Sequence, residues 1–189
     1  FFTDTHRFEF DTRIGVSPTL IYDPPGRVIA KLHPNHTWEK TVFNAWKQAT
    51  WDVNDTYGKN PADDSEIGTF VKRLNSSEYL PLWPNYPTAG SGPSPALIDA
   101  AKKTEVHAGT PTVAHLDPLG RIFLTIAHNR TKANPDDDAF FRTRVLFDIE
   151  GNQREVRDAI TSGAPEGRIA MTYKYDMLGN RIFSNSIDA

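Results

Sequence analysis

The chain has 189 residues, 38% of them hydrophobic, and a formal net charge of -3 with its Lys and Arg scattered. That length suits one domain or a piece of a larger one, and the weakly acidic balance argues against a nucleic-acid footprint. The absence of cysteine excludes disulfides and Cys-ligated zinc, and no apolar run approaches the roughly 20 residues needed to cross a bilayer.

Arg7 to Asp11 alternates, Phe8 and Phe10 against Glu9, and predicts a strand. Leu20 and Tyr22 then lead into Tyr22-Asp23-Pro24-Pro25-Gly26-Arg27, and Val28, Ala30 and Leu32 lead out. The same pattern returns as Leu116-Asp117-Pro118-Leu119-Gly120-Arg121, Phe147-Asp148-Ile149-Glu150-Gly151-Asn152 and Tyr175-Asp176-Met177-Leu178-Gly179-Asn180. Each position has a physical task. Asp23, Asp117, Asp148 and Asp176 can accept hydrogen bonds from backbone amides just ahead of them. Gly26, Gly120, Gly151 and Gly179 supply the positive φ that other residues resist. A tight turn ending in a left-handed glycine is a common hairpin connection. After the second turn Ile122, Leu124 and Ile126 alternate with Phe123 and Thr125, which places the aliphatic three on one strand face, expected to pack against a neighbouring layer or the helical insertion. The first turn is expected to differ from the rest, with a cis bond before Pro25, because proline at the third turn position pushes its predecessor out of the helical region.

A degenerate copy, Phe43-Asn44-Ala45-Trp46-Lys47-Gln48, has Lys47 in the glycine position and starts 21 residues after Tyr22. Later starts follow at 73, 31 and 28 residues, so the excess is insertion into a stacked repeat array. The long insertion, 52–109, reads differently. Ile67, Phe70, Val71 and Leu74 fall at helical spacing after the candidate caps Asp63, Asp64 and Ser65. Pro81 to Pro95 reads as an irregular proline-rich loop. Ser94 and Pro95 open a second helix whose buried side is Leu97, Ile98 and Ala101 and which stops before Gly109. Polar loops are expected at Asn134 to Asp138 and Ser162 to Gly167. The fold class is therefore mainly β: stacked antiparallel hairpins over 1–51 and 110–189, with a small helical and proline-rich insertion between them. The start at Phe1-Phe2-Thr3-Asp4 and the stop ten residues after Gly179 predict a piece of something longer.

The repeated Tyr-Asp-x-x-Gly-Arg turn resembles the signature of the YD-repeat, or Rhs, family. Longer stretches extend the likeness: Leu32-His33-Pro34-Asn35-His36-Thr37-Trp38-Glu39-Lys40, Trp51-Asp52-Val53-Asn54-Asp55, Thr110 to Asn129, Asp148 to Val156 and Tyr175 to Arg181. Together these are similar to the Rhs-bearing part of B-component subunits of bacterial insecticidal toxin complexes. The resemblance implies a hollow shell of wound hairpins that holds a toxic polypeptide, is secreted or exported, and works with the remaining repeats and a C-component partner. A propeller and a C-terminal self-cleaving segment, also family features, have no counterpart in this sequence.

The residues themselves offer few chemical alternatives. His33-Pro34-Asn35-His36 spaces two imidazoles as a metal pair would, but no third ligand stands at a fixed offset and the proline indicates a turn. His107, His115 and His128 are isolated. Asp136-Asp137-Asp138 lacks the alternating ligands and glycine of a calcium loop. The turn aspartates already have structural work, no nucleophile elbow is present, and neither a catalytic set nor a metal or cofactor is expected. Four Asn-x-Ser/Thr sequons, at Asn35, Asn54, Asn75 and Asn129, matter only in a eukaryotic secretory host. Trp38, Trp46, Trp51 and Tyr57, with Phe43, cluster within twenty residues. They read either as cross-strand pairs within the array or, alternatively, as a platform for binding carbohydrate or protein.

Overall fold

The computed structural model describes residues 17–83, 85, 94–131 and 138–187; the expected strand at Arg7–Asp11, most of the proline-rich loop, and Asp136 and Asp137 lie outside them. Among the described residues ten strands form one antiparallel sheet in unbroken sequence order. They are β1 (Thr19–Tyr22), β2 (Val28–Leu32), β3 (Trp38–Phe43), β4 (Lys47–Trp51) and β5 (Thr112–Leu116). β6 (Ile122–Asn129), β7 (Ala139–Phe147), β8 (Gln153–Asp158), β9 (Arg168–Tyr175) and β10 (Arg181–Ser186) complete the sheet. Strict up-and-down order sends alternate connections to opposite margins. One margin carries the turns at Asp23, Asn44, Asp117, Asp148 and Asp176. The other carries His33–His36 and every longer segment.

Each of the four Asp-x-x-Gly turns is followed by a break in register. Tyr22 pairs with Val28 while Ile21 pairs with Ala30, and the same one-residue bulge recurs beyond Asp117, Asp148 and Asp176. The bulge corrects the expected faces of β6. Ile122 pairs with Leu116 but Leu124 pairs with His115, and neighbouring residues of β5 point to opposite faces. Ile122 and Leu124 therefore do not share a face. Nor is Ile122 packed under a second layer, being 45% exposed, and Phe123 meets the tilted ring of His115 at 6.3 Å between centroids.

Packing is concentrated where the insertion folds back. Ile21, Ala30, Leu32 and Trp38 on one face of β1–β3 meet Ala62, Ile67, Val71 and Tyr79 of the insertion, with Ile67 and Val71 essentially sealed from water. Lys40 ties the two together: its ammonium lies 2.7 Å from Asp64 and 2.8 Å from Glu66. Those carboxylates raise the Lys40 pKa against the opposing effect of burial. In turn Lys40 and Ser65 hold Glu66 down at about 2.

The helices differ from expectation in extent. The first, α1 (Gly68–Val71), is a single turn without a side-chain cap; Asp64 instead accepts from the amides of Glu66 and Ile67 at 3.0 and 3.2 Å. Short 3-10 turns at Pro61–Asp63 and Ser76–Glu78 had no signal in the hydrophobic spacing. The second helix, α2 (Pro95–Val106), starts on a Ser94 cap bonded to the Leu97 amide. Of its expected buried side Ala101 is buried and Ile98 is 43% exposed.

Candidate functional site: the turn margin and the aromatic residues

The Asp117 turn shows how the pattern works. The Gly120 amide donates to the Asp117 carbonyl, and the Asp117 amide to the Arg121 carbonyl, both at 2.9 Å. Asp117 Oδ1 accepts from the amides of Leu119 and Arg121, also at 2.9 Å. Its Oδ2 accepts from Arg121 Nε at 2.7 Å. The last pattern position is therefore the latch that closes on the carboxylate, which is why it is Arg or Asn: Asn152 and Asn180 donate in the same way at 3.2 and 3.0 Å. The Arg121 amide, aided by its guanidinium, keeps the Asp117 carboxyl below its ordinary range against partial desolvation. The side chain and then the amide of Asn180 do the same for Asp176.

The first turn has the same form. Gly26 donates to the Asp23 carbonyl at 2.9 Å and Arg27 latches onto Asp23. The expected cis bond is not before Pro25; the cis peptide among the described residues joins Leu80 and Pro81. Pro25 merely removes the amide that Leu119, Glu150 and Leu178 contribute in the other turns.

The degenerate copy departs further. Asn44 pairs with Lys47, and the Asn44 carboxamide accepts from the amides of Trp46 and Lys47. That loop is one residue shorter, so Lys47 begins β4 and does not stand in the glycine position. A fifth turn of the Asp-Gly geometry is hidden at His33–His36. His36 takes φ 61° where glycine is usual, and its amide donates to the His33 carbonyl at 2.9 Å.

Successive turns touch through their latches. Arg27 lies over the Phe43 ring at 4.2 Å and Arg121 over Phe147 at 4.5 Å, each aromatic being the residue that introduces the next turn. Such contacts contribute about 0.5–1 kcal/mol where exposed. Gly151 leaves room for one of them, because a Cβ there would sit 2.6 Å from the Arg121 guanidinium. At Gly120, φ is +77° in open space, so only backbone strain opposes a side chain. Gly120→Val is expected to destabilise the chain by about 1–3 kcal/mol, read as a lower urea midpoint; an unchanged midpoint would contradict this account of the turn.

Of the clustered aromatic residues, Trp38 and Tyr57 line one small pocket with Trp83, while Trp46 and Trp51 do not line it. Trp38 is buried, its indole donating to the Lys59 carbonyl at 2.9 Å. Trp46 is 61% exposed at a turn tip. Trp51 lies beneath the Lys40 ammonium, 4.6 Å from its ring centroid, and Tyr57 meets Trp83 edge to face. Among the described residues no three His, Asp or Glu side chains gather as a metal site. His128 and Arg130 both face Asp138, at 3.1 and 2.6 Å. His36 Nδ1 is 2.8 Å from the Pro81 carbonyl. No described helix is long and apolar enough to cross a membrane.

No protein-family model and no curated protein matches the sequence. Solved structures do. The crystal structure of TcdB2-TccC3-Cdc42 aligns over 91% of this chain with a TM-score of 0.63 and 24% identity. That of TcdB2-TccC3-TEV aligns over 91% with a TM-score of 0.60 and 25% identity. TcdB2-TccC3 without its hypervariable C-terminal region gives 92%, 0.62 and 24%. This chain spans 6% of the length of each. In its mainly β, antiparallel fold it resembles these TcdB2-TccC3 structures.

Proposed function

We propose that this chain is a non-catalytic wall segment of a YD-repeat shell that encloses a toxin or another C-terminal cargo for delivery outside the producing cell. The observation that carries the reading is a ten-stranded ribbon in strict sequence order whose main buried cluster, among the described residues, lies under β1–β3. An isolated globular domain would bury the face of β5–β10 as well, yet Phe141 and Ile182 stand 60% and 66% exposed there. The outer margins of β1 and β10 pair with no described strand, and such edges invite continuation. Its partners are then the neighbouring repeats, a C-component chain and the enclosed polypeptide. Trp38 is buried and Trp51 is engaged by Lys40, which favours this reading over a carbohydrate- or protein-binding platform.

The test uses the complete gene product that contains this segment. Its C-terminal region is expected to resist trypsin inside a hollow particle seen by electron microscopy, and deletion of 168–186 is expected to open the wall and expose it. Equal cleavage rates with and without that hairpin would refute the proposal.

A further inference from the structure

The register carries one face of the sheet from the buried core to an open surface. Ala30 pairs with Lys40, and Lys40 with Trp51. Two residues along β4 from Ala49, Lys47 pairs with His115, His115 with Leu124, Leu124 with Arg144 and Arg144 with Arg157. Paired residues share a face, so Arg144 and Arg157 lie on the face that the insertion covers at β1–β3. On the same face Arg142 stands opposite Ile126.

This surface is charged in an unbalanced way. Arg157 is offset by Glu155 at 2.8 Å and Glu166 at 3.1 Å. For Arg142 and Arg144 no carboxylate partner exists among the described residues, although both are half-buried. Arg144 and Arg157 also stand directly opposite each other, an arrangement that costs stability when nothing neutralises it. Leu124 and Ile126 flank Arg144 and Arg142 on the β6 side with aliphatic surface.

The covered half of the face shows what satisfies such a surface. There the cation is Lys40, met by Asp64 and Glu66, while Ile67 and Val71 from the same segment pack with Ala30 and Leu32. An acidic stretch of chain carrying apolar residues lies across the strands. We propose that the open half of this face, centred on Arg142 and Arg144, docks a second acidic, apolar-dotted polypeptide segment in the same manner. Arginine suits this task because its planar fork grips carboxylates in two-point contacts. A nucleic acid fits less well: its binding needs a long cationic track, and this patch is bounded by Glu155 and Asp138. The inference stands whether the sheet is a shell wall or a free surface.

The test uses this chain and a fluorescein-labelled heptapeptide of alternating Glu and Leu, long enough to span about 20 Å when extended. Anisotropy is expected to show binding that weakens with salt. The Arg142→Gln/Arg144→Gln variant is expected to bind roughly tenfold or more weakly. Lys31→Gln, on the opposite face, should bind as the parent does. The double variant should also keep or raise its thermal midpoint, since like charges are relieved. The proposal is overturned if the parent chain does not bind, if the double variant binds equally, if its midpoint falls, or if an oligothymidylate of similar length binds more tightly than the peptide.

Discussion

Trp38→Ala is expected to lower the stability of the chain by about 3–5 kcal/mol, the usual cost of truncating a large buried aromatic. Trp38 is only 3% exposed and stands where the sheet and the insertion meet. Its ring fills the space between Leu32 and the insertion, and its indole N–H secures the Lys59 carbonyl. Its backbone carbonyl also accepts from the Thr56 hydroxyl. Removing the ring leaves a void and an unsatisfied carbonyl, and neighbouring strands hold the site from collapsing. Far-UV circular dichroism in urea measures the loss without relying on tryptophan emission. A change below about 1 kcal/mol would mean that Trp38 is a surface residue in solution, the arrangement a ligand platform needs.

Asp55→Ala is expected to cost about 3 kcal/mol, because three donors lose one buried acceptor. Asp55 closes the neck of the insertion. Its carboxylate accepts from the Asp52 amide at 2.8 Å, the Thr110 amide at 3.2 Å and the Thr110 hydroxyl at 2.8 Å. The Asp55 carbonyl takes the Gly109 amide as well. Burial pushes its carboxyl pKa above 3.8, outweighing these hydrogen bonds. A raised folded value makes the folded state hold the proton more tightly, so this contribution is fully present below 3.8 and is lost as pH rises through the higher folded value. The deficit of the variant should therefore widen as pH is lowered from about 7 towards 4. Asp117 behaves oppositely. Its folded value lies below 3.8, so its contribution is present above 3.8 and disappears only as pH falls through the lower value. Parallel urea titrations of the parent and Asp55→Ala at several pH values separate the two; a deficit that narrows in acid would reverse the assignment for Asp55.

Local chemistry explains which elements were legible in the sequence. An Asp-x-x-Gly turn is decided within five residues, by one carboxylate and one left-handed position, so the hairpins at Asp117, Asp148 and Asp176 could be read directly. Where the same geometry is reached without glycine the signal is lost: His36 accepts the strain of φ 61° because the turn is clamped by its neighbours and by the Pro81 carbonyl. Lys47 misled because a shorter loop places it in a strand. The bulges were invisible for a related reason. They add one residue without altering composition, and so they reverse the faces of Ile122 and Leu124 while the alternating pattern looks unbroken. The insertion core was half legible, since Ile67 and Val71 showed their spacing. That Trp38 completes it depends on a contact with Lys59 across the chain, which no periodicity reports. The placement of Arg142 and Arg144 on one face without a described carboxylate is likewise a property of the register, not of the sequence pattern.

The unequal margins of the sheet determine how such a ribbon can change. Along one hem every link is short, so successive turns are set about 9–10 Å apart, the width of two strands. Along the other, the link is five residues between Leu32 and Trp38 and a whole packed segment between Trp51 and Thr112, yet the step is the same. Metre and content are thus kept on separate sides. The entropic cost of a longer link grows only slowly with its length, so one hem can gain, lose or exchange material while the other keeps count.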